Sequence, residues 1–189
     1  GFSLPNGLFC TVEKTDPGDI AFLFPGQGTS GCLGMGKDLA MQFSDAMDVW
    51  DFSASFDRKR GSRGPLHKVV YPRPVFNEED KKAQSKKLAL TEWAQPAVMT
   101  TSISMLRLRT GRDIKPDCVG GHSLGEISAL FDAGVLDMES LFSVCFKRGE
   151  LMARVRTGEN HGTMTAVLCD FDKAQARGGE AEFARNAGT

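Results

Sequence analysis

The sequence predicts an α/β protein with parallel strands, and three observations carry that prediction. Ile20-Ala21-Phe22-Leu23-Phe24 is apolar throughout, has strand length and stops abruptly at Pro25-Gly26-Gln27-Gly28. An unbroken apolar run of that length reads as a buried, parallel strand. A shorter strand pattern over 117–120 runs through Gly121-His122-Ser123-Leu124-Gly125 into a helical pattern. Strand and helix patterns then alternate along the chain, as they do where helices cover a parallel sheet.

Taken in order, residues 1–19 are rich in Gly, Pro and Asp and read as a linker or lead-in hairpin. Met35, Leu39, Phe43, Met47 and Trp50 recur at helical spacing, predicting one amphipathic helix over 35–50. Residues 57–87 are polar and basic, carry Pro65, Pro72 and Pro74, and read as an insertion with a short extended piece at 67–71. Lys81, Lys82, Lys86 and Lys87 stand beside Glu78, Glu79 and Asp80, which makes them a solvated helix face rather than a nucleic-acid patch. Pro96 suits the first position of a helix running to about Arg109, with Gly111 as its C-terminal cap. A helix over 124–133 is ended by Gly134. Asp137 can cap the next helix, whose apolar positions are Leu141, Val144, Cys145, Leu151 and Met152. A strand over 163–168 opens a new unit, followed by a polar helix over 172–186. The expected division is a large unit over 20–160 and the beginning of a second over 161–189.

The bulk numbers exclude several functions. The chain has 189 residues, 23 basic and 24 acidic, for a formal net charge of −1. That balance supplies no footprint for nucleic acid or an anionic membrane. No apolar run approaches the length of a membrane span, and the first residues lack the basic-then-apolar order of a signal peptide. Cys10, Cys32, Cys118, Cys145 and Cys169 are odd in number and form no CxxC pair. They suit neither a disulfide framework nor zinc, and free thiols point to the cytoplasm. No metal or redox cofactor is expected.

Two glycine-rich turns remain. Gly26-Gln27-Gly28-Thr29-Ser30-Gly31 satisfies GxGxxG after a strand, the dinucleotide-binding pattern. That site also needs a helix opening on the third glycine and a second strand ending in an acidic residue. Here Gly34 and Gly36 prolong the loop, and Asp45 and Asp48 fall in a helical pattern, so the cofactor reading is disfavoured. Two readings stay open: a tight turn without a ligand, or glycines that bring backbone N–H groups to a reacting carbonyl.

The second turn is a Gly-x-Ser-x-Gly elbow between strand and helix. There a strained backbone pushes the serine hydroxyl out of the sheet edge, and the glycines avoid collision with neighbouring backbone. Ser123 is the candidate nucleophile. The N–H of Leu124 lies where a tetrahedral oxyanion would form. Arg148 falls on a helix with otherwise apolar positions and offers a fixed fork of donors, which selects a carboxylate better than a lysine does.

Phe24-Pro25-Gly26-Gln27-Gly28, Thr91-Glu92-Trp93-Ala94-Gln95-Pro96-Ala97, Gly121-His122-Ser123-Leu124-Gly125-Glu126 and Lys147-Arg148-Gly149-Glu150-Leu151-Met152 occur in this order. Together they resemble the malonyl-CoA:acyl-carrier-protein transacylase family, including the acyltransferase domains of fatty-acid and polyketide synthases. The stretch Val69-Val70-Tyr71-Pro72-Arg73-Pro74-Val75-Phe76 looks more like domains of large iterative synthases, of polyunsaturated fatty acid or polyketide type. The resemblance implies an α/β-hydrolase-like large subdomain and a small ferredoxin-like subdomain. It implies Ser123 as the acylated residue, with the N–H groups of Gln27 and Leu124 as oxyanion hole. Arg148 would hold the free carboxylate of malonyl-CoA, Gln95 would line the acyl pocket and help hold Arg148 or the substrate, and His122 would stand beside the pocket. An acyl carrier protein would accept the group, and neighbouring synthase domains are implied as partners. Leu124 after the serine is similar to family members that take unbranched malonyl units. A serine hydrolase of α/β type shares the elbow without needing Arg148, and a non-catalytic or dinucleotide-binding module is the other alternative.

The chain departs from the family pattern at the general base. The family's base is a histidine downstream of the arginine, beyond the small subdomain. The histidines here are His67, His122 and His161, and none occupies that position. The expectation is a C-terminally truncated piece with little or no activity by itself.

Overall fold

The structure is a computed structural model that describes residues 2–3, 9–10, 18–29, 33–61, 64–110 and 114–156. The chain divides into two compact units, Gly1–Ala153 and Arg154–Thr189. The second contributes only residues 154–156 to the description, the end of a helix. His161, Gly111, the strand expected over 163–168 and the helix expected over 172–186 lie outside the described residues.

In the first unit, β1 (Phe2–Ser3) and β2 (Phe9–Cys10) pair antiparallel. β3 (Ala21–Phe24) and β4 (Cys118–Gly121) pair in parallel, with Ala21 opposite Cys118 and Phe24 opposite Gly121. The two strands therefore end level, and both glycine-rich turns leave the same carboxyl edge. The coarse prediction of an α/β fold with parallel strands holds. Burial within β3 is one-sided, however: Phe22 and Phe24 are buried while Leu23 is 80% exposed. Successive strand side chains point to opposite faces, and helices cover only one face of this pair among the described residues.

A 3₁₀ turn, Gln27–Thr29, follows β3. The single helix expected over 35–50 is two, α1 (Lys37–Gln42) and α2 (Ser44–Arg60), broken by extended backbone at Phe43. A strict spacing of four residues drifts about 40° per step around a helix, so one straight helix could not keep that stripe on the core. The piece expected to be extended at 67–71 is instead α3 (His67–Val70). Its β-branched pair favoured a strand by propensity, but the turn begun at Pro65 buries Val69 and Val70 beside Leu66. α4 (Glu78–Ala89) exposes its lysines, as expected of a solvated face.

α5 (Thr91–Thr110) is the central helix and packs against α2, α4 and α6. Pro96 lies inside it rather than at its first position. The Leu90 carbonyl accepts the N–H groups of Trp93 and Ala94, so the helix starts about a turn and a half before the proline. This early start puts Gln95 on a fully buried face. α6 (Leu124–Asp132) follows β4, and Gly134 closes it with φ 77°. α7 (Met138–Arg156) begins at Asp137, whose Oδ1 accepts the Ser140 N–H at 2.7 Å, the predicted cap. Leu141 and Cys145 are buried as expected. Val144, Leu151 and Met152 are 45%, 48% and 41% exposed, because α7 meets the core through Leu141, Phe142, Cys145, Phe146 and Gly149. Phe142 packs edge-on against Phe52 of α2, ring centres 5.0 Å apart. Cys118 and Cys145 are free thiols, and no helix among the described residues is long and apolar enough to cross a membrane.

Candidate active site

The elbow is built by close backbone approach. A Cβ on Gly121 would run into the carbonyl of Gly125 and the amide of Glu126, and one on Gly125 would run into the carbonyl of Phe24. Glycine at both positions lets the turn close over the ends of β3 and β4. Ser123 pays for that closeness in conformation, with φ 55° and ψ −105°; it is the non-glycine residue of positive φ among the described residues. Such backbone costs on the order of 1–3 kcal/mol and persists only where the surroundings impose it. Glu126 is one of the restraints, its Oε1 accepting the Ser123 N–H at 2.8 Å. Phe24 is another, its carbonyl accepting the His122 N–H at 3.1 Å. Leu124 is the first residue of α6 and its side chain is fully buried, so its N–H belongs to the donor-rich start of that helix.

Arg148 comes from α7 and meets the elbow directly. Its Nη2 donates to Ser123 Oγ at 3.0 Å and its Nη1 to Gln95 Oε1 at 2.6 Å. Gly149 makes this reach possible. A Cβ there would stand 3.2 Å from both the Glu92 Cα and the Thr91 carbonyl, so α7 rides closely on the first turn of α5. Gln95 Nε2 in turn donates to Gln27 Oε1 at 3.1 Å and to Met152 Sδ at 3.2 Å. Gln27 Nε2 donates to Thr91 Oγ1 at 3.2 Å. Ser123, Arg148, Gln95 and Gln27 thus form one hydrogen-bonded chain drawn from four separate segments.

His122 is exposed and lies over Gly26, where a Cβ would be 2.7 Å from its Nδ1. It is not hydrogen-bonded to Ser123 Oγ; among the described residues that partner is Arg148. The turn at Gly26 leads into the 3₁₀ turn, and among the described residues the next helix begins at Lys37, after a turn over 33–36. One turn before Arg148, burial pushes the Cys145 thiol up to about 12, with Arg148 opposing the rise. That thiol stays protonated at neutral pH and is a poor nucleophile.

Three contributors were missed from the sequence. Glu126 had a readable signal, since Ser-x-x-Glu at a helix start is a capping box. Thr91 and Met152 had none, because their roles depend on side chains of other segments.

The arrangement holds a serine hydroxyl on a strained turn with a fixed guanidinium beside it, which suits acyl transfer of a group bearing an anion. The family model described as "Acyl transferase domain" matches residues 21–180. The malonyl CoA-acyl carrier protein transacylase of Bacillus subtilis (strain 168) is 39% identical over 150 residues, covering 79% of this chain and 42% of that protein. Polyketide synthase GfsA of Streptomyces halstedii is 34% identical over 161 residues, covering 85% of this chain and 2% of that protein. The solved acyl transferase domain of ZmaA superposes with a TM-score of 0.66 at 27% identity, over 75% of this chain and 31% of that one. The chain therefore spans less than half the length of each of these relatives. With 160 of its 189 residues inside the family match (180 − 21 + 1), the chain belongs to the acyl transferase domain family.

Proposed function

We propose that this site moves a malonyl group from malonyl-CoA, through an ester on Ser123, to the phosphopantetheine thiol of an acyl carrier protein, in fatty-acid or polyketide synthesis. The single observation that carries the reading is the Arg148 guanidinium held 3.0 Å from Ser123 Oγ by Gln95. Ser123 Oγ attacks the thioester carbonyl, its proton leaves to a base, and the coenzyme A sulfur departs to be protonated as the thiol. The free carboxylate of the ester-bound malonyl group then lies within reach of Arg148, whose planar fork pairs with it through charge-assisted bonds. The carrier-protein thiol attacks the ester and releases Ser123. The N–H groups of Gln27 and Leu124 serve the tetrahedral oxyanion, and His122 walls the pocket.

The described residues correspond to the α/β-hydrolase-like large subdomain, a reading supported by the elbow that follows a parallel strand. The site works in the cytoplasm, and the polyketide synthase relative favours neighbouring synthase domains as partners. Neither His67 nor His122 is bonded to Ser123 Oγ. Without a base, acylation is expected to run on the order of 10²–10⁴ below a base-assisted reaction.

Intact-mass measurement after incubation with malonyl-CoA or acetyl-CoA tests the proposal. A malonyl adduct absent from Ser123→Ala is expected, with malonyl preferred over acetyl until Arg148→Ala removes the preference. Equal labelling by both thioesters in the parent chain would sink the carboxylate clamp. An adduct lost to water faster than to a carrier-protein thiol would make the site a hydrolase.

A further inference from the structure

The side-chain amides of the site are ordered in one direction, and the order can be derived from one end. Arginine has donors and no acceptor. Gln95 must therefore present Oε1 to Arg148 Nη1, which turns Gln95 Nε2 toward Gln27 and Met152. Gln27 must then answer with Oε1, which leaves its Nε2 facing outward from the chain. The group that receives it is Thr91 Oγ1, on a buried residue at the start of α5. The terminal torsion of glutamine is broad and two-fold, so an amide with no acceptor on its nitrogen side can turn over. Turned over, Gln27 would set its NH₂ against the NH₂ of Gln95.

We propose that Thr91 is a positioning residue for the acyl-group clamp. Its hydroxyl, accepting from Gln27 Nε2, anchors the far end of the Gln27–Gln95–Arg148 chain, whose polarity the arginine sets, and with it the orientation of the guanidinium at Ser123. The contact of Gly149 with the Thr91 carbonyl keeps the two ends of the chain in register, because α7 cannot shift along α5 without losing it. The inference rests on Arg148 being the carboxylate clamp. It adds a residue whose hydroxyl touches neither Arg148 nor Ser123.

The test uses the full 189-residue chain with ¹⁵N-labelled glutamine. Thr91→Val keeps the shape and removes the acceptor, and Thr91→Ser restores it. The valine variant is expected to shift the side-chain NH₂ resonances of both Gln27 and Gln95. It should also lower malonyl labelling of Ser123 about tenfold with little change in acetyl labelling, the scale of one hydrogen bond to a charged network. Serine should restore both readouts. Resonances of Gln95 that stay put in the valine variant overturn the proposal, as does an unchanged malonyl-to-acetyl ratio. If the valine variant does not fold, Thr91→Ala is read in the same way. If the parent chain takes no malonyl at all, the Gln95 resonances by themselves decide the role of Thr91.

Discussion

The two glycine-rich turns leave level ends of adjacent parallel strands, yet they are built on different physics. After β4, Gly121 and Gly125 are dictated by backbone packed against backbone, and the strain of that packing falls on Ser123. After β3, Gly26 is crowded by His122, while a Cβ added at Gly28 would meet none of the described residues. The first turn is a rigid device for exposing one hydroxyl. The second is a looser segment that contributes Gln27, whose side chain must be held by Thr91 and Gln95. A serine hydroxyl can be positioned by close-packed backbone and one capping carboxylate, whereas an amide in a polar chain needs partners at both ends.

Substitutions should separate the two turns. The largest effect is expected from Gly125→Ala, where the added methyl meets the Phe24 carbonyl: a loss of about 3 kcal/mol or more in denaturant unfolding, together with loss of Ser123 labelling. Arg148→Lys acts where the two turns are joined. A lysine cannot bond Gln95 and Ser123 through one planar fork, so malonyl labelling should fall roughly 10–100-fold with acetyl labelling retained. Gly26→Ala should cost about 1–2 kcal/mol, since it must displace the His122 ring and carbonyl. Gly28→Ala should leave stability unchanged or raise it by up to about 1 kcal/mol, by narrowing the unfolded ensemble. A result in which Gly28→Ala damaged folding as much as Gly125→Ala would erase the distinction.

The smallest effect concerns a third helix start, at Asp137. Hydrogen bonds from the Ser140 backbone and side chain hold its carboxyl below the ordinary value of 3.8. A depressed carboxylate contributes stability above its unfolded pKa and loses it as pH falls through the folded one. Hydrogen exchange at the Ser140 amide should therefore lose protection only below about pH 4, and Asp137→Ala should remove that dependence.

The readable part of the site was the part made by local backbone. Ser123, its glycines and the helix after it stand within five residues, and the capping pattern to Glu126 was there to be read. Arg148 was legible as a donor fork in the helix that Asp137 starts. Helix ends were harder. Phe43, Pro96 and the piece at 67–71 were misjudged because burial of Ala40, Trp50, Val69, Val70 and Gln95 settled them, and burial depends on segments far along the chain.

The sequence by itself determined the α/β class and the elbow that carries Ser123, since these follow from short-range sterics and periodicity. Only the tertiary structure decided that Arg148 touches Ser123, that Gln95 and Gln27 carry that contact back to Thr91, and which way each amide points. Those facts arise where four segments meet at the carboxyl edge of the sheet, and the polarity of a hydrogen-bonded chain is set by its ends, which no single stretch of sequence contains.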